Sequence, residues 1–287
     1  MGSQAPSGEP AGPGGVAGVA EAAEVAEVVA TERARTFVVR VGGRDQSHVD
    51  LDDPTRLEFG YVRRMGDVVD AHGGPGAPLR VVHVGGAGLT LPRYVAHTRP
   101  RSSQVVLEPD TALTALVRER LPLPRRSRIK VRPVDGRTGL AELREGAFDL
   151  VVLDAYAAGR VPADLVTPAA FALVARALAP DGLALLNLSD RTPFAHTRDV
   201  LAGLRVHLPH LTLSAEPPTL KGRRAGNLVV VAGRAAEHLA GGDRALARGA
   251  VSALTPYVVL DAVGVASGFG GGTPLPEPPA PGGRPEG

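Results

Sequence analysis

From Leu79 onward, short apolar runs alternate with segments whose apolar residues recur every three or four positions. The runs Leu79–Val84, Gln104–Leu107, Ile129–Val134, Phe148–Asp154 and Gly182–Leu188 are rich in valine and leucine, the pattern of strands buried on both faces. Helical spacing lies between and after them, at Leu89–His97, Thr111–Leu121, Thr138–Leu143, Thr167–Leu178 and Pro193–His207. Thr167-Pro168 reads as an N-cap followed by proline at the first helical position, and Pro180-Asp181-Gly182 as a turn. Strict alternation with short connections predicts an α/β fold with a doubly wound, mostly parallel sheet. The rhythm changes at Leu211–Ala215 and Asn227–Val231. Pro217–Arg224 between them leaves no room for a crossover helix, so this pair is antiparallel and completes a seven-stranded sheet.

Upstream, Thr36–Val41 and Gln46–Leu51 flank Gly42-Gly43 and predict a β-hairpin. Leu57–Ala71 carries Leu57, Tyr61, Val62, Met65, Val68 and Val69 at helical spacing. The chain thus divides into a hairpin-and-helix region at 36–72, a Gly73–Pro78 linker, an α/β domain at 79–233 and a helical segment at 234–267. Residues 1–35 and 268–287 are dominated by Gly, Pro and Ala and are expected to be disordered tails, although Ala20–Arg33 has the composition of a short acidic helix.

Composition narrows the chemistry. With no cysteine, disulfides, thiolate catalysis and cysteine-based metal sites are excluded. Net charge is only +2 and the arginine pairs are scattered, so no nucleic-acid footprint is expected. There is no basic-then-apolar leader and no apolar run of membrane-spanning length, which predicts a cytoplasmic protein without a membrane partner. His48, His83, His97, His196 and His207 show no metal-ligand spacing, so no metal is expected. His83, inside the first strand of the domain, reads as a satisfied core residue, while His196 is placed near the mouth of any site at the strand ends. Ser189 lacks the glycine context of a hydrolase nucleophile.

Four features fall at the carboxyl ends of successive strands, where open α/β sheets bind ligands. Gly85, Gly86 and Gly88 follow the first; Glu108 ends the second, Asp135 (before Gly136) the third and Asp154 the fourth. A glycine turn lets backbone approach a ligand closely and aims helix N–H groups at polar or anionic atoms. A carboxylate about 20 residues later can accept hydrogen bonds from ribose hydroxyls. Taken singly, Glu108, Asp135 and Asp154 each suit a helix cap or a plain turn. As a set they point to a nucleoside, and three carboxylates match a cationic sulfonium better than a pyrophosphate. The incomplete G-x-G-x-x-G and the terminal antiparallel pair argue against a nicotinamide-dependent oxidoreductase.

Val84-Gly85-Gly86-Ala87-Gly88, Leu107-Glu108-Pro109-Asp110, Val134-Asp135-Gly136-Arg137 and Leu153-Asp154-Ala155-Tyr156 together resemble the polyamine (spermidine) synthase family. Gly43-Arg44-Asp45-Gln46-Ser47 is similar to that family's D-G-x-x-Q segment, and Ala179-Pro180-Asp181-Gly182 to its K-P-G-G. The stretch Gln46–Met65 resembles the spermidine-synthase-like proteins of actinobacteria, and the likeness runs from about Thr36 to Gly233. The resemblance implies a class I methyltransferase fold and a co-substrate that is S-adenosylmethionine or its decarboxylated form. It also implies a small amine acceptor and, as is common in the family, a homodimer. It places Glu108 on the ribose, Asp135 near the adenine amine, Gln46 beside the substrate channel, Tyr156 on the acceptor side and Asp154 as the base.

The chain also departs from the family. The glycine loop lacks the aspartate that holds the donor's amine, having Ala87-Gly88-Leu89 instead. The D-S-S-D or D-S-T-D loop reads Asp154-Ala155-Tyr156-Ala157, without the second aspartate, and Glu58-Phe59-Gly60-Tyr61 does not reproduce the Tyr-His-Glu motif. Two readings remain: a transferase moving an aminopropyl or methyl group to an amine, or a catalytically degenerate nucleoside-binding protein that keeps the fold. Between the two donors, the Gly85–Thr90 loop offers helix N–H groups for a carboxylate rather than an anion for an amine.

Overall fold

The computed structural model describes residues 25–157 and 159–279. Two sheets are present among them. The smaller is an antiparallel three-stranded sheet of β1 (Ala26–Ala30), β2 (Thr36–Val41) and β3 (Arg44–Asp50), in that order. Gly42 and Gly43 both have positive φ, 56° and 73°, the geometry of the tight two-residue turn that matches strand twist. The tail expected at 1–35 therefore ends before Ala26. Its acidic and alanine spacing suggests a helix, but the free edge of β2 supplies a ladder that the isolated segment lacks, and Val28 turns inward. Residues 1–24 lie outside the described residues.

The larger sheet has eight strands. They are β4 (Arg80–Val84), β5 (Ser103–Leu107), β6 (Ile129–Arg132), β7 (Phe148–Leu153), β8 (Leu178–Asp190), β9 (His210–Ala215), β10 (Gly226–Gly233) and β11 (Val258–Leu260). The order is β11-β9-β10-β8-β7-β4-β5-β6. Strands β6, β5, β4, β7 and β8 pair in parallel, and β10 then inserts antiparallel between β8 and β9. The doubly wound, mostly parallel architecture is as the pattern predicts. The eighth strand is not: 234–267 is not wholly helical, because β11 pairs antiparallel with β9 between two helices. A three-residue strand is too short to leave a period in the sequence. Likewise Pro180-Asp181-Gly182 is no free turn. It lies within β8, where the register with β7 shifts between Phe148 and Leu150 and the extra residues bulge.

Helices cover both faces: α1 (Gly60–Ala71), α2 (Thr90–Thr98), α3 (Thr111–Arg120), α4 (Gly136–Ala141), α5 (Pro168–Ala177), α6 (Ala195–Arg205), a single turn α7 (Pro217–Leu220), α8 (Ala236–Ser252) and α9 (Ala262–Phe269). Strand β4 shows why the apolar runs are continuous. Val82 and Val84 enter the core beneath α4, α5 and α6, while Val81 enters the opposite core with α1, α2 and α8. Thr167 caps α5 with Pro168 at its first position, as the sequence indicates. The small sheet is docked on the domain: Val28, Val39 and Val49 share a third core with Leu89, Val106, Leu113 and Val117. No helix among the described residues is long and apolar enough to cross a membrane.

Residues 270–279, expected to be tail, run as a strap over the domain. Thr273 N–H donates to Asp199 at 2.8 Å, Leu275 packs on the main core and Glu277 pairs with Arg137 at 3.4 Å. Residues 280–287 lie outside the described residues.

Buried arginines tie elements together through carbonyl oxygens. Arg64 of α1 donates to Ser214 O at 2.6 Å and Asn227 O at 3.3 Å, and lies 5.4 Å from the centre of the Tyr257 ring. Arg99 donates to Val69 O and Asp70 O at 2.6 and 2.5 Å, closing the end of α1. Burial lowers Arg64 to about 10, so it stays a cation at neutral pH and depends on those carbonyls. Arg64→Met removes donors from two buried carbonyls and is expected to cost about 2–3 kcal/mol in urea unfolding. Nearby Asp67 is raised to about 6, chiefly by burial. A carboxyl raised on folding contributes stability below its unfolded range that is lost as pH rises through the folded value. Asp67→Asn should therefore leave Tm nearly unchanged at about pH 4 and raise it above that of the parent at about pH 7.

Candidate active site

The chain turns outward at β4, running to β5 and β6 on one side and returning to β7 on the other, so the carboxyl ends of β4, β5 and β7 open on one crevice. The β4 and β7 ends touch there. Asp154 N–H donates to Val84 O at 3.0 Å, and Gly85 N–H donates to Leu107 O at 3.0 Å. At Gly85, with φ +90°, a side-chain carbon would lie 2.4 Å from the Asp154 carbonyl oxygen. Glycine is required at this position on both counts.

Glu108 gathers the loop that follows. Its Oε2 accepts from Gly86 N–H at 2.9 Å and from Ala87 N–H at 3.4 Å, while Oε1 accepts from Asp110 N–H at 3.0 Å. Gly88 N–H donates to Ser47 Oγ at 3.0 Å, Leu89 N–H to Gly86 O at 2.8 Å, and Thr90 Oγ1 to His48 O at 2.9 Å. The expectation that this loop presents free N–H groups is corrected: from Gly85 to Leu89 every N–H has a partner. The hairpin, folded over the loop, supplies a partner that strand-to-helix reasoning does not contain. Unpaired N–H groups begin with the first turn of α2, at Thr90 and Leu91.

Asp135 caps α4, its Oδ1 accepting from Thr138 N–H at 2.8 Å, and that bond holds its carboxyl below the usual carboxylate range. Gly136 is pressed beneath, where a side-chain carbon would lie 2.5 Å from Val84.

A cleft of about 580 Å³ runs over these strand ends, bordered by Gly85, Gly86, Glu108, Asp135, Gly136 and Asp154. That volume lies within the usual range for small-molecule sites. Gly88 does not border it. The sequence places Gly88 with the nucleoside residues, but it is buried under the hairpin, within 3.0 Å of Ser47 and Val49 for any added carbon. A second chamber of about 50 Å³ lies deeper, past Ala87 and Asp154. Gln46, Asp154 and Tyr156 border both spaces and so stand at their junction.

Asp154 is the carboxylate at that junction. Asn187 of β8 donates to its Oδ1 at 2.9 Å, and Asn187 is oriented in turn by Asn227 of β10, whose amide donates to Asn187 Oδ1 at 2.9 Å. Tyr61 of α1 presents its hydroxyl to the same carboxylate, and Tyr156 donates to Asn187 O at 3.1 Å. Burial raises the Asp154 carboxyl above its ordinary range; the Asn187 and Tyr61 donors pull the other way but do not cancel it. Tyr61 is itself raised well above its ordinary value, first by burial and then by the Asp154 charge.

His83 is a satisfied core residue, as the strand position suggests. Gln104 donates its amide N–H to Pro92 O at 2.9 Å, which turns its oxygen toward His83 Nε2, 2.9 Å away, and makes that nitrogen the protonated one. Burial lowers His83 to about 4, so the ring is neutral. His196 is exposed on α6 and borders neither space, so its expected place at the mouth is not found. No cluster of three metal-ligating side chains is present among the described residues.

Sequence reasoning misses Tyr61, Asn187 and Asn227 as parts of the site. Asn187 leaves a trace, the one polar residue in Leu183-Ala184-Leu185-Leu186-Asn187-Leu188. Tyr61 leaves none, since its spacing in α1 equals that of a core residue.

No protein-family model and no curated protein matches the chain. Solved structures do. A probable spermidine synthase from Corynebacterium glutamicum superposes with a TM-score of 0.82 and 28% identity, over 91% of this chain and 96% of that one. A human methyltransferase-like protein 13 in complex with SAH gives a TM-score of 0.53 and 23% identity, over 66% of this chain and 90% of that one. A spermidine synthase in complex with the transition-state analogue AdoDATO gives 0.57 and 12%, over 87% of this chain and 82% of that one. The last two speak for the fold alone. The chain is a structural relative of the spermidine synthases, built on the class I methyltransferase fold.

Proposed function

We propose that the chain is a spermidine-synthase-like transferase that binds S-adenosylmethionine or its decarboxylated form and moves an alkyl group to an amine. The observation that carries this reading is the arrangement around Asp154. Three strand-end carboxylates, Glu108, Asp135 and Asp154, border one ligand-sized cleft, and Asp154 also faces the inner chamber. The structural neighbours are transferases of the same fold, two of them in complex with SAH and AdoDATO.

The cleft fits a sulfonium nucleoside in shape and charge. Gly85 and Gly86 carry no side chain where the ligand passes, and the bordering carboxylates oppose a polyphosphate while favouring a cation. In this reading Glu108 accepts from the ribose hydroxyls, Asp135 faces the adenine amine, and Gly136 lets the base approach the sheet. When bound, the sulfonium supplies an electrophilic carbon. Asp154 orients the acceptor nitrogen and takes its proton, because only the deprotonated amine is nucleophilic. Asn187, held by Asn227, fixes the carboxylate, and Gln46 and Tyr156 border the path of the acceptor.

Calorimetric titration with both donors tests the site. Binding in the micromolar range is expected, with Glu108→Gln about ten-fold weaker through loss of a charged acceptor. Much tighter binding of the decarboxylated donor would exclude methyl transfer. For the base, the rate should rise with pH through an Asp154 ionisation above the ordinary carboxylate value and then level, since the deprotonated form is the active one. Asp154→Asn should remove that limb and lower turnover by about 10²–10⁴. Turnover that survives the substitution would show that Asp154 is not the base.

A further inference from the structure

The inner chamber constrains the acceptor more closely than the fold does. Among the residues that border it, Asp154 is the only acid. Elsewhere the border joins the apolar Phe59, Val62, Leu91 and Val152 to neutral polar side chains, among them Gln46, Ser47 and the His83 ring. His83 offers no acceptor charge and no positive charge, being bonded to Gln104 and buried. Thr90 and Leu91 also border it; they begin α2, whose first turn has no side-chain cap and is the positive end of the helix dipole. At about 50 Å³ the chamber holds on the order of four water molecules, and hence an amine of only a few heavy atoms.

We infer that the acceptor is a small monoamine, one nitrogen on a short uncharged body, rather than a diamine; this rests on the transferase reading of the site. The charge count carries the argument. An amine enters as an ammonium and pairs with Asp154, with Tyr61 and Tyr156 also on the border. It passes one proton to Asp154 and becomes nucleophilic. Its lone pair forms the new N–C bond as the C–S bond breaks, the bonding pair stays on sulfur, and the sulfonium leaves as a neutral thioether. The positive charge ends on the product nitrogen, beside the carboxyl. A diamine carries a second ammonium that remains charged throughout. The rest of the border offers it neutral groups and the positive end of α2 but no second carboxylate, and burying an unpaired charge is costly. Val62, Leu91 and Val152 on the border suit an alkyl body instead.

Binding on the full chain tests this in the presence of S-adenosylhomocysteine or 5′-methylthioadenosine, whose own binding is measured first. Calorimetric titration with propylamine and with 1,4-diaminobutane should show the monoamine binding at least about ten-fold more tightly, the penalty of an unpaired ammonium. Asp154→Asn should abolish that binding while keeping the fold by circular dichroism. Gln46→Glu, which adds a second carboxylate where both spaces are bordered, should narrow or reverse the preference. A protein that binds the nucleoside yet takes the diamine as tightly as the monoamine, or takes neither amine, overturns this inference and leaves the nucleoside site standing. A protein that binds no nucleoside overturns the transferase reading and this inference with it.

Discussion

The site depends on a close approach between two strand ends. Gly85 and the Asp154 carbonyl meet so tightly that no side-chain carbon fits between them. Parallel strands joined by crossovers on opposite sides must diverge somewhere, and here β4 and β7 diverge just beyond this contact. The backbone is therefore fixed at the point where the crevice opens, and the Asp154 side chain projects from a rigid position rather than from a loop. Everything assigned to Asp154, from its hydrogen bonds to its raised pKa, depends on that placement.

Two further layers support it. On one side, β8 and β10 bring Asn187 and Asn227 into line behind the carboxylate, because the antiparallel insertion of β10 sets Asn227 opposite Ser189, on the same face of the sheet as Asn187. On the other, the small sheet lies over the glycine loop, taking the Gly88 N–H with Ser47 and the Thr90 hydroxyl with the His48 carbonyl. The hairpin consumes donors that would otherwise face a ligand and leaves Gln46 at the junction of the two spaces. The cost of burying so much backbone is met locally, with Glu108, Ser47 and Arg93 each satisfying a loop group.

The chemistry arises from the contrast between the two spaces. The outer cleft is ringed by carboxylates that double as structural acceptors: Glu108 for the glycine loop and Asp135 for α4. The inner chamber is bordered by aromatic, aliphatic and neutral polar groups with one acid. In the proposed reading, a base at the boundary meets a polar nucleoside on one side and an amine on the other. Burial raises its proton affinity toward the range where it can both accept and release a proton.

Legible from the residues alone were the order of strands and helices in the α/β domain, the antiparallel pair, the hairpin at Gly42-Gly43 and the set Gly85, Gly86, Glu108, Asp135, Gly136 and Asp154 at the strand ends. These are local facts: apolar period, glycine, a carboxylate after a valine run. Tertiary structure alone decided that Ala26–Ala30 is a strand, that Val258–Leu260 joins the sheet, that 270–279 straps the domain, and that Gly88 is buried rather than facing the cleft. It also recruited Tyr61, Asn187 and Asn227. Each of these depends on a partner distant in sequence, whether a free strand edge, a docked hairpin or a side chain across the sheet. Periodicity records which face of an element is buried; it does not record what that face is buried against.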